Sequence, residues 1–278
     1  MKHEQDGFGH WLILLLVAVF VVIGFVGWQV AHKNQAANSS DSKNSSLTVW
    51  TTDQQGNWTP IGTPPACPAQ PMLELPVDSK LISSILYPGQ WRGATNDINN
   101  YKPHGGFRFD NLPNNRVDVR MPISGYVTET ARYTVQGQTQ TTFNIQNPCG
   151  VMMKFGHLLK LSPQFQAIAN KASLNGAADS HTTEVSPPVF VNKGDLVATE
   201  TGVAGNTFLD FGVYDLRSTN QAGQDPAYVS SHGGPIYMSL SAHGVCWLKT
   251  WFPAADEATL NNLPAGDSTN GKTSDYCK

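Results

Sequence analysis

The sequence predicts an all-β, loop-rich domain carried behind one N-terminal transmembrane helix, and three observations lead there. Charged residues make up only 14% of the 278-residue chain, against roughly 25% in an average soluble domain, so the polar surface must come from Ser, Thr, Asn and Gln. The chain holds 25 Gly and 18 Pro among many β-branched residues, a composition of strands joined by turns that excludes a helical bundle or coiled coil. Finally, Trp11 to Trp28 form an uncharged apolar run, which as a helix spans roughly 27 Å, close to the hydrocarbon thickness of a bilayer. With 18 Lys+Arg against 21 Asp+Glu the net charge is −3, so no nucleic acid is expected as a partner.

Residues 1–10 read as a cytoplasmic N-terminal tail and 11–30 as the anchor, with Trp11 and Trp28 at the two membrane interfaces. A cleaved signal peptide would have a shorter apolar core and a small-residue cleavage site, and no such site follows. Lys2 and the terminal amine on one side and Lys33 and Lys43 on the other leave the positive-inside count tied. The cysteines break the tie. Cys67, Cys149, Cys246 and Cys277 include no C-x-x-C pair, and two disulfides among them would persist only outside the cytosol. Three pairings are open, Cys67–Cys149 with Cys246–Cys277 being one. The expected location is the cell membrane, single-pass, with the C-terminal domain extracytoplasmic. Gly7-Phe8 before the apolar run resembles the processing site of type IV pilin-like proteins, which would make the chain a filament subunit. However, Leu12 stands where those proteins usually carry glutamate.

Residues 31–47 are polar and without apolar period, a flexible stalk. Residues 48–80 hold a short hairpin, Leu47–Trp50 and Trp58–Ile61 around a Gly turn, and the Pro-rich connector Pro64–Pro71. Residues 81–217 are the main β domain. Strands are expected at Val117–Met121, Gly125–Val135, Thr139–Ile145, Val151–Phe155, Val189–Val191, Leu196–Thr201 and Thr207–Tyr214. A single helix is expected at Pro163–Ala172, opened by Ser162 as N-cap with Pro163 in its first position. Residues 218–278 form an irregular C-terminal extension with one apolar stretch, Val245–Phe252, and a polar tail that is loose unless Cys277 pins it.

Five segments in order carry a resemblance: PHGGFRFD (Pro103–Asp110), MPISGYVTE (Met121–Glu129), MKFGHLL (Met153–Leu159), VFVNKGDLVATETG (Val189–Gly202) and FLDFGVYD (Phe208–Asp215). Together they resemble the lysostaphin or LytM-type zinc endopeptidases, which cut peptide bonds in peptidoglycan. That family's pattern runs H-x-G-x-D, a P-x-x-G-x-V strand, HL, V-x-x-G-D-x-V and H-x-H-F. The match spans roughly residues 100–217, about half the chain. The V-x-x-G-D-x-V piece alone also occurs in lipoyl-type domains, but the lysine-bearing hairpin tip of those is missing. The resemblance implies a duplicated β-hybrid sheet with a long groove.

It also implies what has been replaced. In the family, the His and Asp of H-x-G-x-D and the last His of H-x-H hold zinc, while the other two histidines handle protons around the metal-bound water. His104 matches the first ligand and His157 the HL histidine. Arg108 stands at the ligand aspartate, and Phe208 and Asp210 at the two H-x-H positions. Arginine is always charged and only donates, so it repels a dication, and a phenyl ring moves no proton. Two family ligands meet at one ion, so an Arg108–Asp210 ion pair is expected in the vacated place. Alternation would put Leu209, Phe211 and Val213 in the core and Asp210 on the opposite face. An alternative set, His104, Asp110 and Asp210, would keep zinc if the Gly105-Gly106 turn shifted the register.

His181, His232 and His243 share no metal spacing and read as locally hydrogen-bonded or exposed. Trp91, Trp247, Trp251 and Phe252 are large rings better used in packing than as a sugar or peptide surface. The expectation is a catalytically inactive, peptidase-like module without a cofactor, binding or regulating at the cell envelope, with peptidoglycan or an envelope protein as partner. The alternative is a working zinc endopeptidase with rearranged ligands.

Overall fold

The computed structural model describes residues 47–92, 100–234, 238–266 and 271–277. The expected tail, membrane anchor, nearly all of the stalk and Gly7-Phe8 lie outside these residues. No helix among the described residues is long and apolar enough to cross a membrane.

The described chain is mostly strand. A hairpin of β1 (Val49–Thr52) and β2 (Trp58–Ile61) comes first. The main sheet is built from β3 (Ser84–Leu86), β6 (Gly105–Arg108), β8 (Gly125–Val135), β9 (Gln138–Asn147), β10 (Val151–Leu161), β11 (Leu174–Ala177) and β14 (Phe208–Asp215). Its order is β11-β8-β9-β10-β14-β6-β3. To it are added β12 (Thr183–Val191), which pairs with β8, and the pair β7 (Arg116–Arg120) and β13 (Leu196–Thr201). A separate short pair, β4 (Gln90–Trp91) and β5 (Tyr101–Lys102), lies before β6. The all-β expectation holds. The structure adds β3 to β6 and β11, which are short or glycine-rich and carry no alternation long enough to read.

The expected helix is α1 (Pro163–Ala169), with the Ser162 side chain accepting from Phe165 N–H and Pro163 in the first turn. Two further helices were not expected, α2 (Pro226–Ser231) and α3 (Ala254–Asn262). The second of these has one buried residue, Leu260, so no apolar period marked it.

β10 holds the architecture together. From Val151 to Gly156 it pairs with β14, and from Leu158 to Leu161 it pairs with β13. The residue between is His157, whose φ of 61° lies in the left-handed region, at an interruption in the ladder to β9. A non-glycine residue held there is strained by about 1–3 kcal/mol. The change of partner lets one strand edge serve two neighbouring strands of the same sheet and turns the His157 side chain out of the regular alternation.

Period-2 alternation gives the main sheet an apolar and a polar face. Phe107, Phe143, Ile145, Met153, Phe155, Leu209, Phe211 and Val213 fill the core, each large ring or aliphatic side chain contributing about 1.5–3 kcal/mol by burial. The opposite face carries Gln140, Thr142, Asn144, Gln146 and Asp210, all buried. It is buried because the chain ends fold over it. Gln146 accepts from Trp50 N–H at 2.7 Å and donates to Trp50 O at 3.0 Å, and Trp58 Nε1 donates to Ser239 O at 2.9 Å.

Segments 48–80 and 218–278 are therefore not separate attachments to an 81–217 domain. Met72, Leu73 and Val77 from one and Trp247, Leu248, Trp251, Phe252 and Leu260 from the other enter the same core, and residues 47 onward form one compact unit. Trp91 instead packs edge-on to Tyr101 at 5.2 Å.

The disulfides are Cys67–Cys149 and Cys246–Cys277. The second pins the polar tail, where Asp275 N–H donates to Gly89 O at 2.8 Å and Ser274 Oγ donates to Pro88 O at 2.5 Å. Because the first bridge closes a span of 82 residues and the second one of 31, removing the first costs more. Cys67→Ser/Cys149→Ser is expected to lose about 2–5 kcal/mol in urea unfolding. Cys246→Ser/Cys277→Ser is expected to lose less, while amide exchange accelerates in residues 271–277 but not in β10. Equal losses with unchanged tail exchange would refute this account of the tail.

Candidate functional site

The polar face converges on Asp210. In the ladder Asp210 lies opposite Gly156 of β10 and Gly106 of β6. A Cβ on Gly156 would stand 3.1 Å from the Asp210 Cβ, and one on Gly106 would stand 2.3 Å from Leu209 O. The carboxylate thus sits on a floor that only glycine can make. This corrects the expected Gly105-Gly106 turn: both residues are strand, and their lack of a side chain serves close strand packing rather than a change of direction.

Three segments bring partners to Asp210. His104, just before β6, places Nε2 at 3.5 Å from Asp210 Oδ2. His157, from the β10 junction, places Nε2 at 3.3 Å from the same oxygen. Arg92, just after β4, places a guanidinium nitrogen at 4.0 Å from Oδ1 and donates to His104 O at 3.3 Å. Asp210 and His104 are buried, while the His157 side chain keeps 22% exposure, so solvent reaches the cluster past His157. Its ring centre is 4.3 Å from that of Phe208, an apolar wall where the family pattern has a histidine.

The outer nitrogens of both imidazoles are held by pure acceptors. His104 Nδ1 is 3.2 Å from Gly105 O, and His157 Nδ1 is 2.5 Å from Gln140 Oε1. Gln140 Nε2 donates to Gly202 O at 2.8 Å, which fixes which end of that amide faces the histidine. Both Nδ1 atoms therefore carry the proton, and in the neutral ring both Nε2 lone pairs face the carboxylate. Three acceptor atoms meeting at one point call for a cation or a shared proton.

Burial pushes His104 down, against the pull of Asp210, from an ordinary value near 6.5 to about 3. Burial alone would raise Asp210, but the His104 and His157 rings and the Arg92 guanidinium outweigh it and hold the carboxyl below the usual range. Burial also lowers the Lys102 and Lys154 ammonium groups, with Asp210 opposing. The field around the carboxylate is thus cationic.

The expected Arg108–Asp210 pair does not form. Arg108 lies opposite Phe208 in the ladder, and its guanidinium donates to Asp110 Oδ1 at 2.6 Å and to Asn206 Oδ1 at 3.1 Å. Asp110, two residues on, is a closer partner than one across the ladder, and the fork of two guanidinium nitrogens on one carboxylate favours it. Asp110 also accepts from Ser83 Oγ at 2.9 Å. His104 and Asp210 of the alternative set come together, but Asp110 is spent on Arg108 and Ser83.

Among the described residues no three His, Cys, Asp or Glu side chains are arranged to hold a metal ion. With Arg92, Lys102 and Lys154 around the carboxylate, the residues as placed do not fit the zinc centre of the family pattern. The remaining histidines are separate: His181 pairs with Asp179 at 2.5 Å, His243 Nδ1 meets Asp215 O at 3.0 Å, and His232 Nδ1 meets Tyr228 O at 2.8 Å.

Sequence reasoning missed Arg92, Lys102, Gln140 and Lys154. Only Lys154 left a signal, since it alternates with the core residues Met153 and Phe155 and so shares the face of Asp210. No model of a known protein family matches the chain, and no curated protein matches it.

The neutral, buried His104 makes stability depend on pH with a definite sign. Between pH 6.5 and about 3 the unfolded chain binds a proton that the folded chain refuses, so stability falls as pH falls, with a limiting slope of about 1.4 kcal/mol per pH unit. Asp210 adds its own loss only below the usual carboxylate range near 4. His104→Asn is expected to flatten the urea unfolding free energy between pH 6.5 and 4.5. An unchanged slope would show that His104 is protonated in the fold.

Proposed function

We propose that the chain is a membrane-anchored, extracytoplasmic module of lysostaphin-like fold that does not catalyse and whose groove binds a cell-envelope partner, peptidoglycan or a protein. The observation that carries this reading is the neutralisation of Asp210. Where the family resemblance puts zinc, a carboxylate meets a guanidinium and two imidazoles, and a phenyl ring lines the side where a proton-handling histidine would stand. An arginine holds negative charge in place but offers no coordination site for a water and lowers no water pKa. What is left is a polar, shaped surface built on a rigid sheet.

The order of the five segments and the two-faced sheet support the lysostaphin-like reading with its duplicated hybrid motif. The two disulfides support an oxidising compartment, and with a spanning segment at residues 11–30 they favour an extracytoplasmic location for the described domain. A second reading, the zinc endopeptidase with rearranged ligands, draws on one observation. Two Nδ1–H groups held by carbonyl oxygens with both Nε2 atoms facing a carboxylate is the outer hydrogen bonding that metal-binding histidines use. It would require Arg92 to leave.

Full-length chain in detergent, offered zinc and isolated peptidoglycan, separates the two. The expected outcome is co-sedimentation with peptidoglycan, no stoichiometric zinc and no release of peptide ends. Asp210→Ala should weaken co-sedimentation several-fold by disordering the groove floor. Near-stoichiometric zinc lost on His104→Ala, together with peptide release, would establish the enzyme instead.

A further inference from the structure

A second polar site lies on the same sheet face, next to the Asp210 cluster and sharing the field of Lys154 with it. Glu129 of β8, Asn144 of β9 and Lys154 of β10 are direct neighbours across three strands. They form one row about 10 Å long from the first backbone to the third, at the spacing of paired strands. The row floors an open cavity of about 330 Å³, within the size of small-ligand sites. Thr182 closes one side, and Trp58 and Leu240 supply an apolar wall. That wall is held in place, because Trp58 Nε1 is bonded to Ser239 O and the hairpin carrying it is tied to Gln146.

The row has unused bonding capacity of both kinds. Glu129 Oε2 accepts from Asn144 Nδ2 at 2.6 Å and from Thr182 Oγ1 at 2.9 Å. These bonds fix the carboxylate, while its Oε1 accepts nothing from the described residues. Asn144 Oδ1 is buried and has no hydrogen-bond partner, which costs about 1–3 kcal/mol if left so. Lys154 Nζ is half-buried and makes no ion pair or hydrogen bond among the described residues. Its two nearest opposite charges, Glu129 and Asp210, attract it without closing on it. An isolated ammonium partly removed from water beside an orphaned amide oxygen and a half-used carboxylate is costly in an empty pocket and complementary to a ligand bearing both charges.

We propose that this cavity binds a small zwitterion of the α-amino acid or dipeptide class. Its ammonium group donates to Glu129 Oε1, its carboxylate accepts from Lys154 Nζ, and its carbon skeleton lies against Trp58. The length agrees. Two charge-assisted hydrogen bonds of about 2.8 Å plus the roughly 3 Å between the charged groups of an amino acid bridge about 9 Å, close to the roughly 10 Å between the first and third strands of the row. The pocket has one carboxylate and one ammonium in its lining, so a zwitterion leaves the charge balance unchanged where a simple anion or cation would not. The site does not depend on the groove reading and would stand if the groove bound nothing.

The test is calorimetric titration of the full-length chain in detergent with alanylalanine and glycine as zwitterions. N-acetylalanine, lacking the ammonium, and alaninamide, lacking the carboxylate, serve as controls. The expected result is saturable binding of at least one zwitterion, weakened about tenfold or more for each control. Glu129→Gln and Lys154→Met should weaken it by a similar factor. The capped controls on the unmodified chain keep the test valid if a variant fails to fold. Absence of heat with both zwitterions, equal binding of a control, or binding unchanged in two folded variants would overturn the proposal. Peptidoglycan co-sedimentation, run separately, reports on the Asp210 groove and is expected to survive Glu129→Gln.

Discussion

A carboxylate buried on a glycine floor has to be neutralised, and the arrangement of this domain around Asp210 follows from that. An unpaired ion in such a place costs several kcal/mol even after relaxation. The partners come from three distant segments: Arg92 behind β4, His104 ahead of β6, and His157 at the junction in β10. Each delivery constrains local structure. His157 reaches Asp210 only because β10 breaks its alternation there, at a left-handed residue whose strain is tolerated because the flanking strand ladders and the Tyr133 hydroxyl, which accepts from His157 N–H at 3.3 Å, hold it. Arg92 reaches it only because the β4–β5 pair lies beside β6.

The same constraint accounts for the covered polar face. An antiparallel sheet commonly leaves one face to water. Here the polar face is roofed by the β1–β2 hairpin and the chain after β14, so Gln140, Thr142, Asn144 and Gln146 are all buried. Such residues persist in an interior only when hydrogen-bonded, and nearly all of their groups are: Gln140 to Gly202 O, Thr142 to the Tyr133 hydroxyl, Asn144 to Glu129, Gln146 to both polar groups of Trp50. The exception, Asn144 Oδ1, belongs to a residue that lines a cavity beside Trp58. A roof built by polar contacts fixes the hairpin and the tail as parts of the domain, although both sequences are short of apolar residues.

How much of this was legible in the sequence depended on the range of the interaction. Strands β8 and β13 could be read to the residue, because runs of β-branched and aromatic residues between turn signals are a local property. So could the opposed faces of Leu209, Asp210 and Phe211. The short strands β3 to β6 could not, since their place is set by cross-strand neighbours and by glycines that look like turn residues until a facing backbone is known. An arginine opposite Asp210 was foreseen, but the wrong one. The substitution pattern at Arg108 points to Asp210, while Asp110, a bidentate partner two residues away, takes the guanidinium. The arginine that meets Asp210, Arg92, stands sixteen residues earlier in the sequence, and no spacing rule connects it to Asp210. Lys154 was within reach, since counting by two from Met153 and Phe155 puts it among the polar residues.

The charges around Asp210 differ in kind from those of a metal centre. A zinc ion with two histidines and one aspartate leaves a net positive centre with an open position, and that surplus is what acidifies water. Around Asp210 the positive charge is spread over Arg92, Lys102 and Lys154 at the ends of long side chains, and none of these can accept an electron pair. The field can orient an anionic or amide oxygen through hydrogen bonds, but it has no electrophile to polarise one. His104, neutral and buried, cannot supply a proton near pH 7, and Phe208 blocks the side from which a second base would act. Proton transfer then rests on His157 alone, whose inner nitrogen faces Asp210 and whose outer proton is committed to Gln140. His157 is thus held at both of its ring nitrogens, by Asp210 on one side and by Gln140 on the other.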